Sequence, residues 1–203
     1  MRCPFCHNPD LVKNKNDLPL FDEGAILGFL EKRKQWIDGI TITGGEPLIQ
    51  RNLPPFMRKV KGLGLLVKLD TNGLHPEMLQ QVIQEKLVDY IAMDIKSDKD
   101  HYKDAAGCAV NMKKIEQSIS IIKNSGVAYE FRSTVVPDFF SDEVMHNIGH
   151  WLEGSKQYYV QQFRSSVPLL DKSFQGKQPC TPAQLEHFKD IMEKYVDNVA
   201  IRN

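Results

Sequence analysis

Tyr90-Ile91-Ala92-Met93-Asp94-Ile95 is the stretch on which the fold turns. It is too apolar for a strand with one wet face, so it belongs in a covered sheet, and such sheets are parallel and joined by crossover helices. The same rhythm recurs outward from it. Toward the N-terminus, 76–87 carries Met78, Leu79, Val82 and Ile83 at helical spacing, 65–69 reads as a strand, and 53–61 as a short helix with Pro54 and Pro55 in its first turn. Residues 40–43 are a further strand, preceded by a helix that Asp22 can cap, with Ile26, Leu27, Phe29, Leu30 and Trp36 as apolar positions, ending near Gly39. Toward the C-terminus, Asn111 is placed to cap a helix bearing Ile115, Ile119 and Ile122 that Gly126 ends. A strand at 128–136 stops at Pro137, and a helix at 142–152 and a strand at 158–163 follow. Thr181-Pro182-Ala183-Gln184 opens the last helix as a capping box, and 198–202 is a short final strand. The fold class is α/β.

A chain of 203 residues, at the roughly 150 expected of a domain, points to one domain spanning 1–203. Twenty-six Lys and Arg balance 26 Asp and Glu, so no net charge draws the chain to nucleic acid or an anionic membrane. With no apolar run of membrane-spanning length and no signal segment, a cytoplasmic location is expected. Four cysteines are too few for a disulfide scaffold, and the close pair Cys3 and Cys6 suggests metal or redox chemistry. Cys108 and Cys180 stand apart and read as bystander thiols. Histidines 146 and 150 share a helix face, but Asn147 stands where a metalloprotease motif needs Glu.

In parallel α/β folds, ligands gather at the carboxyl ends of the strands, so the exits are read together. The first carries Gly44-Gly45-Glu46-Pro47, whose glycines let the backbone approach a ligand and whose carboxylate can take an ammonium group. The second carries Asp70-Thr71-Asn72-Gly73 and the third Asp94-Ile95-Lys96. Arg132 lies among apolar residues of a strand, and a buried charge needs a partner.

Four segments in this order carry a resemblance: Cys3-Pro4-Phe5-Cys6-His7-Asn8-Pro9, Ile42-Thr43-Gly44-Gly45-Glu46-Pro47, Leu69-Asp70-Thr71-Asn72-Gly73 and Ala92-Met93-Asp94-Ile95-Lys96. Together they resemble the radical S-adenosylmethionine (SAM) activating enzymes of glycyl-radical proteins. More narrowly, 129–137 and 159–164 are similar to the activases of anaerobic ribonucleoside-triphosphate reductase. The resemblance implies a partial (β/α)6 barrel and a 4Fe-4S cluster on cysteines spaced C-x3-C-x2-C, with one iron left for SAM. An electron from the cluster would cleave SAM to a 5'-deoxyadenosyl radical, which takes hydrogen from a glycine of the partner.

Carried over by position, Cys3 and Cys6 match the second and third cluster ligands, flanked by Phe5 and His7 near cluster and adenine. Gly44, Gly45 and Glu46 match the segment that receives the methionyl ammonium. Asp94 and Lys96 match residues near the ribose and methionine carboxylate, and Lys96 is also read as catalytic. Arg132 would face that carboxylate, and the Gln162 to Arg164 backbone would lie near the adenine. Asp70, Thr71 and Asp94 match groups that hold a monovalent cation in some relatives. The expected client is anaerobic ribonucleotide reductase, with another glycyl-radical enzyme such as pyruvate formate-lyase as alternative and a flavodoxin or ferredoxin-type protein as electron donor.

Family members place the first cluster cysteine four positions before Cys3, after a β-strand, and this chain starts two positions before it. The expectation is an N-terminally incomplete barrel lacking its first strand, with Met1 internal to a longer functional polypeptide. The alternative is an inactive barrel acting as a binding protein. Cys3-Pro4-Phe5-Cys6-His7 also spells a haem-attachment sequence, but export is not indicated. A zinc module lacks two nearby ligands, and a thioredoxin-like pair would leave Gly44-Gly45-Glu46 unexplained.

Overall fold

The computed structural model describes residues 1–13 and 18–203. Two helices, α1 (Pro9–Val12) and α2 (Glu23–Arg33), precede strand β1 (Gly39–Ile42). Then come α3 (Leu53–Gly62), β2 (Leu66–Thr71), α4 (Pro76–Gln84), β3 (Tyr90–Asp94), α5 (Tyr102–Ala106) and α6 (Met112–Asn124). The remainder is β4 (Ala128–Val135), α7 (Asp142–Leu152), β5 (Gln157–Gln162), α8 (Pro182–Met192) and β6 (Asn198–Arg202). The strands form one sheet in chain order, every neighbouring pair parallel. Stepping always to the next strand by right-handed crossovers puts the connecting helices on one face. Among the described residues β1 pairs only with β2 and β6 only with β5, so the sheet is the open, partial barrel expected from the sequence.

Register separates the two faces. Val67, Leu69, Ile91, Met93, Tyr129, Phe131, Val135, Tyr158 and Val160 turn to the helices and share a core with Met57, Val60, Leu79, Ile115, Ile122, Ile148 and Leu185. The opposite face carries Lys68 beside Tyr90, Asp70 beside Ala92 and Glu130, and Asp94 beside Arg132 and Tyr159. β3 is therefore two-faced rather than uniformly apolar, and its unbroken apolar reading arises because Ala92 stands on the inner row.

Asp22 caps α2 by accepting from Ala25 N (3.1 Å), and Thr181 and Gln184 close the capping box of α8. Asn111 occupies the N-cap position of α6 without a side-chain cap bond, so α6 is held by its buried Ile115, Ile119 and Ile122 instead. The helix after Asp22 ends at Arg33, not near Gly39. It buries Leu30 alone, while Phe29 is 54% and the following Trp36 85% exposed. No described helix is long and apolar enough to cross a membrane.

Candidate functional site

The carboxyl ends of β1 to β4 and the N-terminal loop enclose a cavity of about 240 Å³. β1 delivers Thr43 to Pro47 to its wall. Gly44 has φ +140°, a conformation L side chains rarely adopt, and a Cβ built on Gly45 would meet nothing within 4 Å, so the backbone lies open to a ligand. Glu46 clips two strand exits together: it accepts from Thr71 Oγ1 (2.8 Å), Asn72 N (2.7 Å) and Leu48 N (3.3 Å). Burial raises its pKa, against the pull of these three donors. A carboxylate has about four acceptor positions, so one remains for a donor entering the cavity.

The inner row supplies the charges. Asp94 holds Lys96 Nζ on one oxygen (3.0 Å) and Arg132 Nε on the other (2.6 Å). Burial alone would raise the Asp94 pKa, but the two cations outweigh it and hold it at about 2. Arg132 also reaches Asp70 Oδ2 (3.2 Å) and Glu130 Oε1 (3.7 Å), which is how the buried charge read from the sequence is partnered. Glu130, 2% exposed, is further bound by Arg202 (2.7 and 3.1 Å) and Tyr90 OH (2.8 Å). Asp70 Oδ1 is buried with no hydrogen-bond partner, Lys68 Nζ standing 3.6 Å away.

Residues 1–8 contain neither helix nor strand, so this loop is positioned by its neighbours. Leu170 N donates to Cys6 O (3.1 Å), Asp171 N to Pro4 O (2.9 Å) and Arg2 N to Ala106 O (2.8 Å). Phe5 packs on Phe139 and Phe163, and the imidazole Nε2 of His7 lies 3.2 Å from Arg164 O. Asn8 N donates to Cys6 Sγ (3.4 Å). Burial pushes the Cys3 thiol pKa up, and Lys96 opposes the shift.

Of the residues singled out from the sequence, Cys3, Phe5, Cys6, His7, Gly44, Gly45, Glu46, Asp70, Thr71, Asp94, Lys96 and Arg132 all line this cavity. Gln162 and Arg164 do not. Gln162 Nε2 donates to Cys180 O (2.7 Å), and Arg164 places its carbonyl 3.2 Å from His7 Nε2. The expected cation ligands are otherwise engaged: Arg132 bridges Asp70 and Asp94, and Thr71 donates to Glu46. Among the described residues no three His, Cys, Asp or Glu side chains group to hold a metal ion. Sequence reading gave no role to Thr134 in the wall, and missed the segments around Ala106 and Leu170 that seat the cysteine loop. Histidines 146 and 150 both turn to the Tyr195 hydroxyl (2.8 and 3.4 Å).

The donor set suits SAM: an open glycine backbone, a carboxylate with one acceptor position left and two cations share one cavity. For a cluster with one open iron the set is two thiols, Cys3 and Cys6, of the three such a cluster takes.

The Radical SAM superfamily profile matches residues 1–149. A Methanocaldococcus jannaschii protein, named by inference as a glycyl-radical enzyme activating enzyme, is 32% identical over 208 residues, covering 100% of this chain and 84% of that protein. The pyruvate formate-lyase-activating enzyme of Clostridium pasteurianum is 29% identical over 143 residues, 68% of this chain and 58% of that enzyme. Two solved structures share the fold. A domain of a pyruvate-formate lyase-activating enzyme from Bacteroides vulgatus has a TM-score of 0.64 at 17% identity, covering 81% of this chain and 99% of that one. Streptococcus suis SuiB bound to S-adenosylmethionine has a TM-score of 0.72 at 13% identity, covering 100% of this chain and 47% of that one. The family implies a 4Fe-4S cluster and SAM as cofactors of an oxidoreductase enzyme. By the profile match and the full-length relative, the chain belongs to the Radical SAM superfamily.

Proposed function

We propose that the chain activates a glycyl-radical protein, with anaerobic ribonucleotide reductase as its client, a flavodoxin or ferredoxin-type protein as electron donor and the cytoplasm as its place of work. The observation that carries this reading is that Cys3 and Cys6 open into the same cavity as Gly44 to Glu46, Lys96 and Arg132. Among the side chains lining that cavity, two cations, Lys96 and Arg132, stand against three carboxylates, Glu46, Asp70 and Asp94, one negative charge in excess. SAM, with a sulfonium, an ammonium and a carboxylate, carries one positive charge in excess. Glu46 and the Gly44–Gly45 backbone would take the ammonium, Lys96 and Arg132 the carboxylate, Asp94 the ribose, and Phe5 and His7 the adenine side. The bound cluster and SAM supply one-electron cleavage of a carbon-sulfur bond; the protein orients SAM and keeps water and stray hydrogen donors away.

The client part rests on the likeness of 129–137 and 159–164 to the ribonucleotide reductase activases. A second client, pyruvate formate-lyase, is supported by the names of several relatives. The test is anaerobic reconstitution with a chemical reductant and SAM, then electron paramagnetic resonance of mixtures with each client. A glycyl-radical doublet on the reductase is expected. A doublet on the lyase alone reassigns the client, and failure to bind SAM removes the activity from this chain.

Two predictions arise here. Lys96→Ala weakens SAM binding about ten- to a hundredfold, the loss of a charged hydrogen bond, measured by calorimetry against the unaltered chain. Unchanged affinity would remove Lys96 from the site. Cys3→Ala and Cys6→Ala each take up far less iron than the unaltered chain on anaerobic reconstitution, measured by iron and sulfide analysis, because both thiols face the cavity. Undiminished uptake in either variant would remove that cysteine from the ligand set.

A further inference from the structure

The reading above requires Cys3 to stand at one place in the cavity, yet its own loop has no regular structure to hold it. The closest approach that fixes the loop comes from the end of α5. Gly107 caps α5 at φ +64°, and its N–H donates to Asp104 O and Lys103 O. A Cβ built on Gly107 would lie 2.1 Å from Arg2 O, 2.8 Å from Arg2 C and 3.4 Å from Cys3 N. These are backbone atoms, so no side chain can swing aside to admit it. One residue earlier, Arg2 N donates to Ala106 O, and Ala105 is fully buried in one cluster with Cys3 and Phe5.

We propose that Gly107 is the positioning residue for the Cys3 thiol: its missing side chain lets the end of α5 and the Arg2–Cys3 backbone touch, and that contact sets where Cys3 faces the cavity. The proposal rests on the activase reading only for the purpose of the thiol, not for the contact itself. Conformation and contact are separable demands. Asn tolerates the left-handed region, so a glycine needed for φ alone is replaceable by Asn. One needed for close approach is not. Gly126 supplies a matched control, with φ +74° at the end of α6 and nothing within 4 Å of its Cβ position.

The experiment compares Gly107→Ala and Gly107→Asn with Gly126→Ala and Gly126→Asn in the metal-free chain. Iodoacetamide labelling is read at each cysteine by mass spectrometry. Both Gly107 variants label Cys3 about tenfold faster, as a locally opened loop does, while buried Cys180 stays at the unaltered rate and reports an intact fold. The Gly126 variants leave Cys3 unchanged. If Asn at 107 protects Cys3 as well as Gly does, or Ala at 126 exposes Cys3 as much as Ala at 107, the proposal is overturned. Should the Gly107 variants fail to fold, the unaltered chain still decides. Its Arg2 amide, bonded to Ala106 O, exchanges with deuterium at least about tenfold slower than a free amide, and an unprotected Arg2 amide overturns the contact. Iron uptake by the variants addresses the separate question. Cys3 loosened with iron uptake lost supports both readings, whereas Cys3 loosened with uptake unchanged keeps the seat and overturns its role in cluster binding.

Discussion

Arg132→Met is expected to lower the free energy of unfolding at pH 7 by about 3–5 kcal/mol, the range for breaking a buried ion pair by removing one partner. Methionine retains the aliphatic body of the side chain, so the loss reports the guanidinium. That group touches Asp94, Asp70 and Glu130 and is 13% exposed. Glu130 keeps Arg202 and Tyr90, and Asp94 keeps Lys96, but Asp70 is left with Lys68 at 3.6 Å. The pH dependence identifies the cause. In the unaltered chain Asp94 has its pKa held at about 2, below the ordinary carboxylate value of about 3.9. A depressed acid contributes stability above its unfolded pKa and loses it as pH falls through the folded value, here between about 4 and 2. In the variant Asp94 loses one of the two cations that depress it, so its pKa rises toward the ordinary carboxylate value. The deficit between variant and parent is therefore largest at pH 7 and clearly smaller at about pH 3. Urea unfolding at both pH values measures it, and a deficit under about 1 kcal/mol that ignores pH would make Arg132 a solvated surface charge.

That ion network shows what the sequence could and could not disclose. A charge read into a covered strand demands a partner, which drew attention to Arg132 with no structure in hand, although Glu130 of the same strand is the more deeply buried charge. Which carboxylates answer it depends on register, since Asp94 reaches Arg132 only because β3 and β4 align those two residues. The strand-exit rule brought together residues as distant as Gly44 and Lys96 because a parallel sheet with sequential order leaves no other place for them. The seat of the cysteine loop was hidden for the opposite reason. Leu170 and Asp171 hold it by backbone N–H groups, which every residue but proline possesses, and Gly107 reads as an ordinary helix-ending glycine until the Arg2 carbonyl is seen against it. Helix α2 misled in another way. Periodicity locates an apolar face but not what covers it, and Ile26 and Phe29 remain exposed. Gln162 was carried over from the resemblance by its backbone, and its side chain donates to the Cys180 carbonyl.

Glu46→Gln should separate the two tasks that converge on one carboxylate. Its oxygens accept from Thr71 Oγ1 and Leu48 N on one side and from Asn72 N on the other. An amide placed either way presents an NH2 group to one of these donors, so the clip between the β1 and β2 exits cannot be kept whole. Leaving one of these buried donors unpaired costs about 1–3 kcal/mol of folding stability. SAM binding should fall further than this repacking explains, by about ten- to a hundredfold, because the amide cannot offer a full charge to an ammonium. Thr71→Val makes the comparison, since it removes one donor from the clip and leaves the carboxylate charged. If Glu46 meets the ammonium, Thr71→Val lowers the melting temperature while SAM affinity falls only slightly, whereas Glu46→Gln loses both. S-adenosyl ligands lacking the amino group add the other half of the cycle: they should bind Glu46→Gln and the unaltered chain alike. Equal losses of SAM affinity in Glu46→Gln and Thr71→Val would reduce Glu46 to a structural clip.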